Sequence, residues 1–242
     1  MHDRNHILLP TIPSCEWGMV AMGGDLVRVT KEQVRPASEM LVEAFFNDAK
    51  LTLVFPDENT RREQGRSLFA FHLRYGLNYG RVFATSPNLE GVAVWLPSDR
   101  SEVTFWRAMR SGGMTLQKQL SKDAMRRLLA FADQIDSYHK KHVPGRHCYL
   151  FFIGVDPRVQ GRGYGGKLIR PVLLEMDQNR MDCYLNTQNE QNIGLYEHFG
   201  FEVLEQVRLP GTTFLHTCMV RKPGRNRINE RGLRQLLLPF SS

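Results

Sequence analysis

The stretch from Cys148 to Val155, Cys-Tyr-Leu-Phe-Phe-Ile-Gly-Val, is apolar almost throughout. A run of that length without polar alternation reads as a strand covered on both faces, hence central in its sheet. The glycine-rich run Gln160-Gly161-Arg162-Gly163-Tyr164-Gly165-Gly166 follows it. From Tyr164 to about Gln178, Leu168, Ile169, Val172, Leu173 and Met176 recur at helical spacing, with Pro171 predicting a kink. A buried strand that leads through a glycine loop into an amphipathic helix constrains the chain to an α/β fold with helices against its sheet.

The other elements arrange themselves around this unit. Residues 26–29 read as a short strand, and Pro36 opens a helix through Met40, Leu41, Ala44 and Phe45. A second helix runs from Asn59-Thr60 to about Tyr79. Residues 81–85 and 91–96, joined by Ser86-Pro87-Asn88, form an antiparallel hairpin. The segment from Ser101 to about His142 is helical, with a break at Gly112-Gly113. After the central unit come a strand over 183–186, a helix over about 189–199, and two strands around 201–209 and 214–220.

The chain has 242 residues, enough to bury a sizeable core, and its 42% hydrophobic and 24% charged composition excludes a disordered or low-complexity chain. Cys15, Cys148, Cys183 and Cys218 form no C-x-x-C pair, so no metal site is expected and a reducing compartment fits. The start of the sequence lacks a secretory apolar segment, and no apolar run reaches the roughly 18 residues of a membrane span. The expectation is a cytoplasmic protein with no membrane partner.

The net charge of +7 is unevenly placed. Between Arg221 and Arg234 six basic residues face the single acid Glu230, so most of the excess lies near the C-terminus and is weak evidence for nucleic acid. The organisation expected is an N-terminal extension over 1–24, one domain over 25–222 with a helical insertion over about 101–142, and a basic tail over 223–242. The tail reads as an exposed, partly helical terminus, or as one that packs Leu236–Leu238 on its own chain or on a second one, which leaves a homodimer open.

Several small residues between a buried strand and a helix let a backbone approach a ligand, and helix-start N–H groups there make an anion nest. The pattern G-x-G-x-x-G is satisfied at Gly161, Gly163 and Gly166, which raises a dinucleotide-binding reading. Two observations oppose it. Five residues, Asp156 to Gln160, separate the strand from the first glycine, and the next strand ends without the acid that would hold a ribose.

Ile153-Gly154-Val155-Asp156-Pro157 followed by Gln160-Gly161-Arg162-Gly163-Tyr164-Gly165 resembles the acetyl-coenzyme A signature of the GNAT acetyltransferase superfamily. Asn192-Ile-Gly-Leu-Tyr196-Glu-His-Phe-Gly200-Phe201 is similar to that family's downstream asparagine, tyrosine and closing Gly-Phe. Within the superfamily the resemblance is closest to the puromycin N-acetyltransferase-like branch. It is carried there by residues 44–48, Trp95-Leu96-Pro97, residues 147–150 and residues 218–223.

The resemblance implies a mixed, mostly antiparallel sheet flanked by helices, with the helical insertion between the N-terminal hairpin and the central strand. It implies acetyl-CoA as co-substrate and no metal. The backbone of Ile153, Gly154 and Val155 would pair with the pantetheine arm. Amides of Gln160, Gly161, Arg162, Gly163, Tyr164 and Gly165 would hold the pyrophosphate, and Asn192 would reach the cofactor arm unless it serves the start of its own helix. Arg158 and Arg162 reach the 3′-phosphate or are solvated.

The implied reaction is transfer of acetyl to a primary amine, of a small molecule or alternatively of a protein or peptide, by direct attack on the thioester. A third reading is a non-catalytic acyl-CoA-binding regulator. Tyr196 matches the family's general acid, and a phenol of pKa about 10 is protonated at neutral pH. No acid lies within 147–155, so His147 and Tyr149 are the first candidates for the base, followed by Asp48, Asp57 and Glu90. Phe105, Trp106, Phe131 and Tyr138 wall an acceptor pocket or serve as core, and His198 is expected at the surface.

Overall fold

The computed structural model describes residues 26–224. The expected N-terminal extension, the tail beyond Gly224 and the homodimer built on it lie outside the described residues. Seven strands form one sheet: β1 (Val27–Arg28), β2 (Arg81–Ala84), β3 (Gly91–Pro97), β4 (His147–Val155), β5 (Asp182–Thr187), β6 (Glu202–Arg208) and β7 (Leu215–Arg221). Their order is β1-β2-β3-β4-β5-β7-β6, and only β4 and β5 run parallel.

The strand period of two sorts the core into two layers. Along β3, Val92, Val94 and Leu96 face the layer that contains Leu41, Leu68 and Leu73. Ala93 and Trp95 face the other layer, with Leu168, Ile169 and Met176. The first layer is covered by α1 (Val34–Ala44), α2 (Ala49–Val54) and α3 (Glu58–Tyr79), followed by α4 (Phe105–Arg110), α5 (Gly113–Gln119) and α6 (Lys122–His142). The second is covered by α7 (Tyr164–Gln178) and α8 (Ile193–His198).

Several local details refine the sequence reading. The helical segment after β3 is three helices, because Gly112 takes φ +93° and turns the chain between α4 and α5. Asp57, one turn before the expected start, caps α3 by accepting from the Asn59 N–H at 3.0 Å. Pro171 leaves α7 a single element. The short α2, capped by Asp48, carries no strong period of its own and was not anticipated.

β4 and β5 part company halfway. Their last paired residues are Leu150 and Leu185, although β4 continues to Val155. On the other edge Val94 faces Phe152 while Trp95 faces Leu150, so Phe151 is an extra residue, and a bulge of this kind bends its strand. Among the described residues, 151–155 therefore keep β3 on one side and have no strand on the other.

Helix α7 spans this divide, held at two points. Arg81 on β2 donates from Nη1 and Nη2 to the Glu175 carboxylate at 2.7 and 2.6 Å, with both side chains buried. Arg221 on β7 donates to both Asp177 oxygens at 2.7 Å, and its Nε donates to the Phe199 carbonyl.

The join between α6 and the sheet is made of histidines. His139 and His147 share a 2.7 Å contact between Nε2 atoms, and His147 Nδ1 donates to the Gly145 carbonyl at 2.7 Å. His139 therefore donates and His147 accepts, and His139 also stacks on Tyr184 with centroids 4.5 Å apart. Further along, Gln188 Nε2 meets His216 Nδ1 at 2.9 Å, which leaves the His216 Nε2–H pointing to Cys218 Sγ at 3.4 Å. Burial pushes His139 down to about 3 and His216 down to about 4.

Two outcomes follow from this packing. Replacing Arg81 alone by Met strands the Glu175 charge and should cost about 3–5 kcal/mol in urea unfolding, whereas the double change Arg81→Met/Glu175→Met should cost less than the single one. Between pH 6.5 and about 4 the unfolded chain takes up protons that His139 and His216 refuse when folded. Each then removes about 1.4 kcal/mol of stability per pH unit of acidification. Melting temperature should fall over this range, and His216→Gln should make the fall shallower; an unchanged slope would count against His216 as a source.

Candidate active site

Where β4 and β5 separate, a cavity of about 600 Å³ opens between the sheet and the helices α2, α3, α4, α5 and α6. Its floor is the β4 segment from Tyr149 to Ile153 together with residues 185–189, and Asn192 and Tyr196 reach it from the opposite layer. Rings of Phe69, Phe71, Phe131, Phe151 and Phe152 line the cavity, among aliphatic and polar side chains.

The glycine loop lies beside the exposed edge of β4. Gly161 and Gly163 take φ of +79° and +80°, conformations that favour glycine. A Cβ built on Gly161, Gly163 or Gly165 would meet nothing within 4 Å. These glycines thus serve backbone shape and access from outside instead of internal packing. Gly154 behaves differently, because a Cβ there would lie 2.6 Å from Leu41 Cδ2 and 2.9 Å from Phe45 Cε2, so it is what lets α1 lie close on β4. Gln160 donates from Nε2 to the Val155 carbonyl at 3.1 Å and fastens the loop to the end of the strand. Tyr164 begins α7, and Lys167 Nζ sits 5.2 Å over its ring. Arg162 is exposed; Arg158 is committed to Asp156 at 2.6 Å.

Tyr196 is 7% exposed and packs edge-on against Phe201. Burial, reinforced by the charge of Asp48, pushes its hydroxyl up to about 12, so the phenol holds its proton. Asn192 stands at the start of α8 without a side-chain capping bond, and Asn189 caps the short 3-10 turn Glu190–Asn192 ahead of it by accepting from Gln191 N–H.

The candidates for a base separate cleanly. His147 is off the cavity wall, at the far end of β4 opposite Asp182, and both of its ring nitrogens are bonded. The expectation that it reaches the cleft is corrected: it stands at the first position of β4, where His139 of α6 covers it. Asp57 and Glu90 are also off the wall, the first as a helix cap and the second bonded to Thr85 and Ser86 in the hairpin turn. Tyr149 and Asp48 are on the wall. Asn186 Nδ2 donates to the Tyr149 hydroxyl at 2.8 Å, and Gln188 Nε2 donates to Asn186 Oδ1 at 3.2 Å. Phe105 and Phe131 line the cavity, whereas Trp106 is exposed, Tyr138 packs on His216 and His198 lies at the surface.

Lys50, His72, Asn186 and Asp136 are among the wall residues that the sequence does not single out as part of a site. Asp136 had a signal, since Met125, Leu129 and Ala132 form a helical stripe that continues into it. Burial raises Asp136 to about 6, and burial, then Lys50, hold His72 well below the ordinary histidine range. Among the described residues no group of three or more His, Cys, Asp or Glu side chains is arranged to hold a metal ion, and no helix is long and apolar enough to cross a membrane.

The acetyltransferase (GNAT) family model matches residues 93–201. An uncharacterised N-acetyltransferase of Schizosaccharomyces pombe is 26% identical over 190 residues, which cover 75% of this chain and 76% of that protein. A mycothiol acetyltransferase of Brachybacterium faecium is 26% identical over 144 residues, 50% of this chain and 44% of that one. Among solved structures, one from Corynebacterium glutamicum described as histone acetyltransferase HPA2 and related acetyltransferase superposes with a TM-score of 0.59 at 17% identity, covering 84% of this chain and 98% of its own. Arylalkylamine N-acetyltransferase 2 from Aedes aegypti gives 0.55 at 16% identity, covering 81% and 97%. At these identities the structural likeness is one of fold. The family match and the relatives named as acetyltransferases support an acyltransferase of the GNAT type, and the solved structures agree with it in fold.

Proposed function

We propose that the chain transfers an acetyl group from acetyl-CoA to the primary amine of a small molecule, by direct attack of the amine on the thioester. The observation that carries this reading is the meeting, at the parting of β4 and β5, of two different surfaces. On one side is an unpaired strand edge ending in an open glycine loop; on the other is a walled, aromatic cavity that Tyr196 reaches.

The strand edge at Ile153, Gly154 and Val155 offers backbone groups to the amides of a pantetheine arm, as an added strand would. Amides of the loop from Gln160 to Gly165 converge at the start of α7 and suit a pyrophosphate. Hydrogen bonds to a charged group contribute about 1.5–3 kcal/mol each, so three or four amides account for micromolar affinity without any side chain. Asn192, free of capping duty, is placed to bond the arm near the thioester.

In the reaction the amine nitrogen forms a bond to the carbonyl carbon and the carbon–sulfur bond breaks, its electron pair leaving with sulfur. Tyr196 donates a proton to that sulfur. Because a buried phenolate is costly, the proton is replaced from the nitrogen, which must shed two in passing from ammonium to amide. A concave cavity of about 600 Å³ with apolar walls suits a compact molecule, which favours a small acceptor. The puromycin N-acetyltransferase-like assignment stays within this proposal, resting on the sequence blocks around Phe45, Trp95 and Cys218.

Tyr196→Phe should lower kcat by roughly a hundredfold or more while leaving acetyl-CoA affinity by calorimetry unchanged; equal turnover at saturating substrates would remove the acid role. Gly163→Val puts a β-branched residue at φ +80° and displaces the loop amides. It should weaken acetyl-CoA binding by roughly tenfold or more.

A further inference from the structure

The charged side chains on the cavity wall are Asp48, Lys50, Asp133 and Asp136. Asp48 and Lys50 stand together at the start of α2, and each feels the other's charge, so that pair compensates itself. Asp133 and Asp136 lie one turn apart on α6, which leaves the wall with an excess of negative charge along that helix. Lys140, the cation nearest Asp136, is turned to Glu102 at 3.1 Å. No hydrogen bond or ion pair engages the Asp136 carboxylate among the described residues.

A second and independent observation comes from α3. His72 is only 7% exposed, its ring is boxed by Phe69, Phe71, Phe151 and Phe152, and it has no hydrogen bond among the described residues, yet it lines the cavity. A buried imidazole ordinarily bonds at both nitrogens, as His147 does here. One facing an aromatic chamber without a partner is matched by a group that enters the chamber.

We propose that this cavity is an acceptor subsite for a primary amine on an aromatic or bulky apolar body without a carboxylate, Asp136 receiving the ammonium and His72 taking a second hydrogen bond from it. The inference rests on the N-acetyltransferase reading above and names its substrate class. Aromatic walls match an aromatic or branched body, and the negative α6 face matches one cation. A carboxylate on the acceptor would meet that negative face, where Lys50, set over the Phe131 ring and within the field of Asp48, is the one lysine or arginine on the wall among the described residues. A second ammonium, as in a polyamine, would lie among rings beside Lys50.

Asp136 also suits the proton that the ammonium must lose before attack, since its burial brings it to about 6. Of the two protons leaving nitrogen, one replaces that given by Tyr196 to sulfur and the other passes through the Asp136 carboxylate to solvent. The titratable groups around Asp136 are Asp133 and Lys140 on its own helix, Glu102 before α4, and Tyr149 on β4, whose hydroxyl burial pushes up.

The test uses the full chain in a thiol-release assay with 2-phenylethylamine, L-phenylalanine and spermidine. Phenylethylamine should be acetylated with the highest kcat/KM, and that value should fall on acidification with a midpoint near 6. Asp136→Asn should raise KM for phenylethylamine roughly ten- to a hundredfold and abolish the acid limb, with Asp136→Glu restoring part of both. Acetyl-CoA calorimetry on each variant reports that the protein is folded, and His72→Phe, a conservative change in an aromatic box, should raise KM independently. Preference for phenylalanine or spermidine, or an Asp136→Asn enzyme with unaltered KM and pH profile, overturns the acceptor class while leaving N-acetyl transfer intact. Absence of both acetyl-CoA binding and amine acetylation overturns the underlying reading and the inference with it.

Discussion

Two buried arginine–carboxylate pairs hold the molecule's working parts in register. The sheet divides between β4 and β5, and hydrogen bonds between strands cannot fix the geometry of a gap. Helix α7 crosses that gap, tied by Glu175 to Arg81 in one half of the sheet and by Asp177 to Arg221 in the other. Both ties are bidentate, which sets direction as well as distance. They lie in the last turns of the helix, so its first turn, where the glycine loop ends, is aimed by anchors buried about two to three turns away. Buried ion pairs add little net stability compared with apolar packing, and their contribution here is better understood as orientation.

Once α7 is fixed, the gap becomes chemically specific through what is left unpaired. Phe151 enters β4 as an extra residue and turns its second half from β5, while Tyr149 and Asn186 bond to each other at the point of separation. Beyond that point no strand among the described residues pairs with the β4 edge, and the half-buried polar groups on the floor run back through Gln188 to the buried His216. The same burial that closes this network sets the protonation states above it. Tyr196 stays a phenol and His72 an imidazole because neither charge would be solvated, and Asp136 is carried toward neutrality for the same reason. A reaction that moves protons between nitrogen and sulfur is served by groups whose charges have been displaced in this way.

Local order was legible in the sequence wherever it is written in short-range chemistry. The buried strand from Cys148, the glycine loop and the period of α7 appear in the fold with boundaries shifted by a residue or so, because apolar runs, glycines and helical spacing act within a few residues of one another. The hairpin ahead of the insertion was equally plain. Helix α2 was not, being six residues long and dependent on packing against α6 and on the Asp48 cap. His147 misled for a related reason. Its neighbours in sequence belong to the central strand, but whether a strand residue faces a cleft or a covering helix depends on where α6 lies and on His139, eight residues earlier.

This contrast separates the two halves of the site by the range of the interactions that build them. The strand edge and the loop come from one continuous segment, 153–165, so residue types and spacing there nearly determine the shape. The opposite wall comes from α2, α3, α5 and α6, and its charged groups stand against partners far away in sequence: Asp136 against Tyr149, Lys50 against His72 and Phe131. No short window contains that arrangement. A chain can therefore keep its cofactor-facing segment while small shifts of the inserted helices exchange one acceptor for another. In this fold, acceptor choice is expected to follow the packing of α4, α5 and α6 on α3 more closely than it follows the glycine loop.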